Sequence, residues 1–338
     1  EEYEALRDSY AGAGREITYL SLEAARANGL QPVWSQETLF KPKQLGIQSL
    51  TDFSLEEISQ YINWIFFFTT WELKGKFPDI FDHPDYGAEA RKLHGDALEM
   101  LQKIIDEKWL TANAAYGIFP ASSEGDDIVV YEEDGTERTR FTMLRNQTLK
   151  KDQSNLCLAD FVAPRDSGKQ DYLGAFAVTA GIGIEEKLKT FEAEHDDYSS
   201  IMLKALADRL AEAFTEWLHQ KIRRIDWGYA PDESLGVEDL FREKYSGIRP
   251  AHGYPACPDH SEKDVLFRLL EAEKCGISLT ENYSMVPAAS VSGLIFAHPE
   301  SRYFFVGKIG LDQLQDYARR KKIPLAEAER LLASNLNY

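Results

Sequence analysis

Arg249, Tyr254 and His260 are set into one unusual stretch, Ile248-Arg-Pro-Ala-His-Gly-Tyr-Pro-Ala-Cys-Pro-Asp-His260. A guanidinium is a planar fork that can grip a carboxylate with two hydrogen bonds. A phenol offers an apolar ring with a polar tip, and an imidazole can give or take a proton. The prolines between them remove backbone donors and fix φ, so neither a helix nor a central strand fits, and a shaped loop is expected. A backbone held stiff before binding loses little entropy on binding. The plainer reading is a proline-rich structural turn. Interleaving of rigid with polar and aromatic residues favours a binding loop.

Other chemistry is weakly encoded. Cys257-Pro-Asp-His260 has a ligand-like spacing, but no Cys-x-x-Cys or His-x-x-x-His supplies a second half-site, so no metal is assigned. Gly181-Ile-Gly183 lacks the third glycine of a dinucleotide fingerprint and reads as a strand-to-helix turn. Ser290 and Ser292 near His298 form no nucleophile elbow. Asp126-Asp127 and Asp196-Asp197 read as solvated turns, not paired catalytic acids. Glu212 falls in a helical pattern between Leu210 and Phe214, where an acid by default faces solvent. Tyr303 and Phe304 fall in a strand pattern, where aromatic residues by default pack a sheet. No catalytic residue is assigned, and binding is better supported than internal catalysis.

The elements that must carry these residues follow from periodicity. Residues 1–30 read as an alanine-rich, helical lead-in ending at Gly29. Ser54-Leu-Glu-Glu57 resembles a capping box opening an aromatic-rich helical stretch to about residue 75. Helices are expected at 86–109, at 198–224, at 236–245, at 262–275, at 311–322 and after Pro324. Strands are expected at 114–120, at 127–132 returning through Glu133-Asp-Gly-Thr136 into 138–144, and at 172–179. A last hairpin is expected from 291–297 to 303–309 across His298-Pro-Glu-Ser301. Strands come in neighbouring pairs, which predicts an α+β fold with an antiparallel sheet. No repeat or linker divides the chain, so residues 1–338 are expected to form a single domain.

Bulk properties narrow the function. The 338 residues carry 56 acidic against 38 basic side chains, a net charge of −18. Such a surface repels nucleic acid and anionic membranes, and no basic patch offsets it. The apolar run Trp64–Phe68 is far too short to span a bilayer. Three scattered cysteines, Cys157, Cys257 and Cys275, fit a reducing cytoplasm better than a disulfide framework. No signal peptide is evident, and the Glu-Glu-Tyr start without an initiator Met suggests a piece of a larger multidomain protein.

Several segments together carry a family resemblance. They are Arg249-Pro-Ala-x-Gly-Tyr-Pro-Ala-Cys-Pro-Asp-His260, Tyr61-Ile-Asn-Trp64, Phe67-Phe-Thr-Thr-Trp71, Gly75-Lys-Phe-Pro78, Ala207-Asp-Arg-Leu-Ala-Glu-Ala-Phe214 with Leu218-His219, Trp227-Gly-Tyr-Ala-Pro231, Ala289-Ser-Val-Ser-Gly293 and Asp316-Tyr-Ala-Arg-Arg-Lys321. They resemble the C-terminal activation domain of cobalamin-dependent methionine synthase, a homocysteine S-methyltransferase, across nearly the whole chain.

The resemblance implies a single C-shaped α+β domain with a twisted antiparallel sheet flanked by helices. It implies that the domain binds S-adenosylmethionine and supplies its methyl group for reductive methylation of cob(II)alamin. Cobalamin would be held by a neighbouring module of the same protein, and zinc only by other modules. A flavodoxin-like or flavoprotein donor would supply the electron, and the isolated domain would not turn over alone. The implied ligand-site residues are Asn63, Glu212, Arg249, Ala251, Gly253, Tyr254, Tyr303 and Phe304, with Tyr254 and His260 facing cobalamin. The family commonly carries Asp where this chain has Asn63. Asn keeps hydrogen bonding but drops the charge, so a weaker hold on a cationic ligand is expected. The competing expectation is a docking domain for a cobalamin module or electron donor that has lost ligand binding.

Overall fold

Two long strands are buried on both faces, and the rest of the molecule is built around them. The structure is a computed structural model and describes residues 18–338. Strands β1 (Gly46–Phe53), β2 (Thr111–Glu124), β3 (Asp127–Tyr131), β4 (Glu137–Thr142) and β5 (Asp171–Ile182) join β8 (Ser290–Ile295) in one sheet. The order is β4-β3-β2-β5-β8, with β1 also paired to β2, and every pairing is antiparallel. A separate small hairpin joins β6 (Ser278–Leu279) to β7 (Met285–Val286).

Alternation along β2 and β5 sorts their side chains between two cores. Tyr116, Ile118, Phe176 and Val178 point into one, while Ala115, Phe119, Leu173 and Ala175 point into the other. The fold is thus α+β with an antiparallel sheet, as the paired strands predicted.

The first core lies under α2 (Leu55–Ser59), α3 (Trp64–Thr70), α4 (Gly87–Asp106), α5 (Ile184–Ala193) and α6 (Asp197–Lys221). Helix α6 is the central one. Met202, Leu203, Leu206, Leu210, Phe214 and Leu218 recur at helical spacing and are all buried. Asp196 caps its start by accepting from Ser199 N–H at 2.9 Å. Its end widens into a π turn, Ile222–Asp226, and buried Trp227 then donates through Nε1 to Phe40 O at 2.8 Å. The second core lies under α8 (Glu262–Leu270). A small third core joins α9 (Leu311–Lys321) to α10 (Leu325–Leu331).

Several expectations are corrected. Residues 303–309 form no strand against β8. The edge of β8 is already taken by the proline-rich loop: Ile248 and Phe296 exchange hydrogen bonds of 3.1 and 3.0 Å, and Leu294 N–H donates to Pro250 O at 2.9 Å. Displaced from the sheet, the 303–309 segment crosses over that loop, and Val306 N–H bonds Pro255 O at 2.8 Å.

The helix expected over 236–245 is only α7 (Val237–Phe241). The one over 262–275 breaks at Glu271, whose φ is 53°, and resumes as a 3-10 turn. The long stretch after Ser54 splits into α2 and α3. Of the expected 1–30 lead-in, residues 1–17 lie outside the described residues, Tyr19 makes a strand-like bridge to Thr148, and only α1 (Leu22–Ala27) is helical. Strand β1 was not anticipated, because its half-buried, polar-rich sequence lacks an apolar run.

Asp126 and Asp127 are not solvated: their exposures are 1% and 3%. Arg145 binds Asp126 at 2.6 Å, Arg26 binds it at 2.8 Å, and Arg320 and Arg140 bind Asp127. Burial of such acids requires this pairing.

Candidate ligand-binding site

The proline-rich loop forms one wall of a cavity of about 380 Å³. Arg249, Pro250, Ala251 and Tyr254 to Ala256 supply that wall, α6 supplies another through Glu212 and Thr215, and Glu243 adds a second acid. Phe176 of β5 and Val291 of β8 form an apolar side, and Tyr303, Phe304 and Phe305 form the lip. A larger cleft, about 710 Å³, lies beside Arg140, Glu262 and Arg268, but its lining charges are mostly matched in pairs. The smaller cavity combines apolar lining with a few convergent polar groups, which is the usual form of a small-molecule site.

The loop is held from within and below. Tyr254 N–H bonds Ala251 O at 3.2 Å, Cys257 N–H bonds Tyr254 O at 3.0 Å, and Gly253 N–H bonds Cys257 O at 2.8 Å. Gly253 has φ +90°, and a Cβ there would lie 2.2 Å from the His260 ring. Only glycine satisfies both the backbone angle and that approach. Gly293 of β8 serves similarly, since a Cβ would stand 2.6 Å from Pro250 O. His252 is buried and stacked on Phe141 at 5.7 Å, and burial above all lowers its pKa to about 3, keeping it neutral. At the far end Asp259 is tied to Ser261, Tyr317 and Lys321.

Among the described residues, Arg249 is the one strong cation on the cavity wall. Both terminal nitrogens of its guanidinium bind the Glu216 carboxylate, Nη1 at 2.9 Å, and its carbon sits 5.9 Å from the Tyr245 ring centre. Burial works against its charge, but Glu216 outweighs that and raises the pKa. Its backbone N–H donates to the Tyr303 hydroxyl at 3.1 Å.

Glu212 lies one helical turn before Glu216. Its side chain is open toward the cavity, yet the crowding protein raises its pKa; Arg209 and Arg249 pull it down, and Glu216 and Asp208 add to the rise. Among the described residues no donor bonds its carboxylate. An amino-acid zwitterion is the natural complement of a free carboxylate beside an arginine.

Of the residues singled out from sequence, Glu212, Arg249, Ala251, Tyr254, Tyr303 and Phe304 meet at this cavity. Asn63 is not on its wall; it caps α3, accepting from Ile65 N–H at 3.2 Å. Gly253 sits behind the loop, and His260 lies on the loop's outer side with Nδ1 3.1 Å from Lys263 Nζ. Cys257 points inward to Ala251 O at 3.0 Å, so it does not pair with His260 as a ligand set. Sequence reasoning missed Glu216, Phe176 and Val291. An acid repeating one turn after Glu212 was the available signal for Glu216.

The model of the family described as vitamin B12 dependent methionine synthase, activation domain, matches residues 54–322. The chain is also similar to a solved structure described as the MetH reactivation domain bound to AdoHcy. Identity is 49%, the TM-score is 0.91, and the match covers 95% of this chain and 99% of that one.

Proposed function

Since the chain belongs to the activation-domain family of vitamin B12 dependent methionine synthases, we propose that it binds S-adenosylmethionine (AdoMet) as the methyl donor that restores cobalamin in a neighbouring module. The presence of Glu212 and Arg249 together on a cavity with an apolar wall carries this reading. Glu212 suits the ligand ammonium, Arg249 its carboxylate, and Phe176, Val291 and Phe304 the nucleoside. The relative's AdoHcy is what AdoMet becomes after losing its methyl group.

The rim fits a large flat partner. Tyr254, Phe305 and Tyr303 are 64%, 70% and 41% exposed around the cavity mouth. Cobalamin, once reduced by an external electron donor such as a flavoprotein, supplies the nucleophile for the sulfonium methyl. The chain's residues then hold the amino-acid head, aim the methyl group outward and keep the site free of competing bases. A sulfonium methyl needs no acid or base, so the contribution is positioning. On this reading residues 1–338 act as one domain of a longer cytoplasmic protein.

Calorimetric titration with AdoMet, run on the native chain and on Arg249→Ala, tests the proposal. Saturable binding by the native chain and a loss of affinity of about tenfold or more in the variant is expected for a charge-assisted contact. Binding that survives the substitution unchanged overturns the placement. No binding by the native chain supports a domain that only docks.

A further inference from the structure

Glu216 has no place in the reading above, yet it makes the closest contact to the cation of the site. Its carboxylate faces Nη1 and Nη2 of Arg249 end-on. Both side chains are mostly buried, at 14% and 12% exposure. The end-on fork consumes one N–H from each terminal nitrogen. Among the described residues no acceptor bonds the Nε–H. The ring of Tyr245 is close to the guanidinium of Arg249, at 5.9 Å, and to that of Arg223, at 4.3 Å, and Arg223 is itself paired to Glu233 at 2.6 Å. Arg249 is therefore fixed on two sides, by a carboxylate and by a ring.

Charge is also apportioned here. Glu216 cancels Arg249, while Glu212, one turn away on the same helix, accepts no hydrogen bond among the described residues. With Glu243 also on the wall, the cavity lining is net negative even though an arginine belongs to it.

Resting on the AdoMet reading, we propose that Glu216 is the positioning residue of this site. It holds Arg249 with its Nε–H edge free for a ligand carboxylate. By neutralising Arg249 it leaves Glu212, with Glu243 on the same wall, as the negative charge that selects a cationic amino-acid head. Removing Glu216 frees the guanidinium to swing and makes the cavity less negative, so the head group loses its clamp and part of its field.

The test compares AdoMet with methylthioadenosine, which keeps the nucleoside and sulfur but lacks the amino-acid head. Glu216→Gln is expected to weaken AdoMet by about tenfold or more, from loss of a charge-assisted network, and to leave methylthioadenosine within about twofold. Glu216→Asp, which keeps the charge but shortens the reach, is expected to fall between. Equal losses for both ligands overturn the proposal, because a merely structural role would damage the whole cavity. Unchanged AdoMet affinity overturns it as well. Failure of the native chain to bind AdoMet removes the functional reading itself and this proposal with it, whereas native binding with an indifferent variant removes only the role of Glu216.

Discussion

Glu212 and Glu216 are the same residue type one turn apart on α6, yet the structure gives them different work. Glu216 is spent on Arg249, whose guanidinium it faces end-on. Glu212 faces the cavity with no bonded partner among the described residues, and burial first of all raises its pKa. A carboxylate with a raised pKa begins to lose its charge above the ordinary carboxylate range as pH falls. AdoMet keeps its positive charges over that interval, so the attraction disappears from the protein side. Affinity for AdoMet is therefore expected to decline with acidification, starting above the usual glutamate pKa. In Glu212→Gln it is expected to be weaker at neutral pH and flat over the same range. A pH series of titrations checks this, and parallel curves for native chain and variant would contradict it.

At the scale of elements, the site depends on pieces that are tied together from distant parts of the chain. Segment α1 is fastened to α9 by Leu22 N–H to Asp312 at 2.6 Å and by Arg26 to Asp316 at 2.6 Å. Helix α9 in turn holds Asp259 at the end of the binding loop through Lys321 at 3.0 Å. Burial alone would raise the Asp316 pKa, but hydrogen bonds from Arg320, Arg319 and Arg26 outweigh it and hold the pKa down at about 2. A depressed carboxylate contributes stability that is full above its unfolded value and is lost as pH falls through the folded one. The contacts between α1 and α9 are thus expected to persist at pH 5 and to loosen as the pH drops from about 4 toward 2. Amide exchange of residues 20–28 is the measurement. Asp316→Asn is expected to show fast exchange there already at neutral pH.

For the whole molecule, the proposed function makes the cavity a holder and not a reactor. Its wall offers Phe176, Val291, Tyr303, Phe304, Arg249 and Glu212, none of them a strong nucleophile. With AdoMet alone, the chain is expected to produce AdoHcy no faster than buffer. Adding a cobalamin-bearing module and a reductant is expected to start production, and chromatography of the nucleosides reads both cases.

Much of this was legible in the sequence. Period-2 and period-3.6 patterns are local, so β2, β5, α4 and α6 could be read from neighbouring residues. The proline-rich loop could be read because proline and glycine restrict their own backbones wherever they occur. The motif resemblance led to Glu212, Arg249, Tyr254 and Tyr303 for the same reason, since each sits in a recognisable local string.

Other features were decided only by long-range packing. Residues 303–309 have strand-like composition, but the edge they would pair with is occupied by a segment over fifty residues earlier. Asp126 and Asp127 look like turn residues until arginines from both ends of the described chain close over them. Glu216 looks like an ordinary helix acid until the loop returns to place Arg249 against it. A side chain's intrinsic chemistry is written in its own position, but its burial and its partner belong to the residues that the fold brings to it.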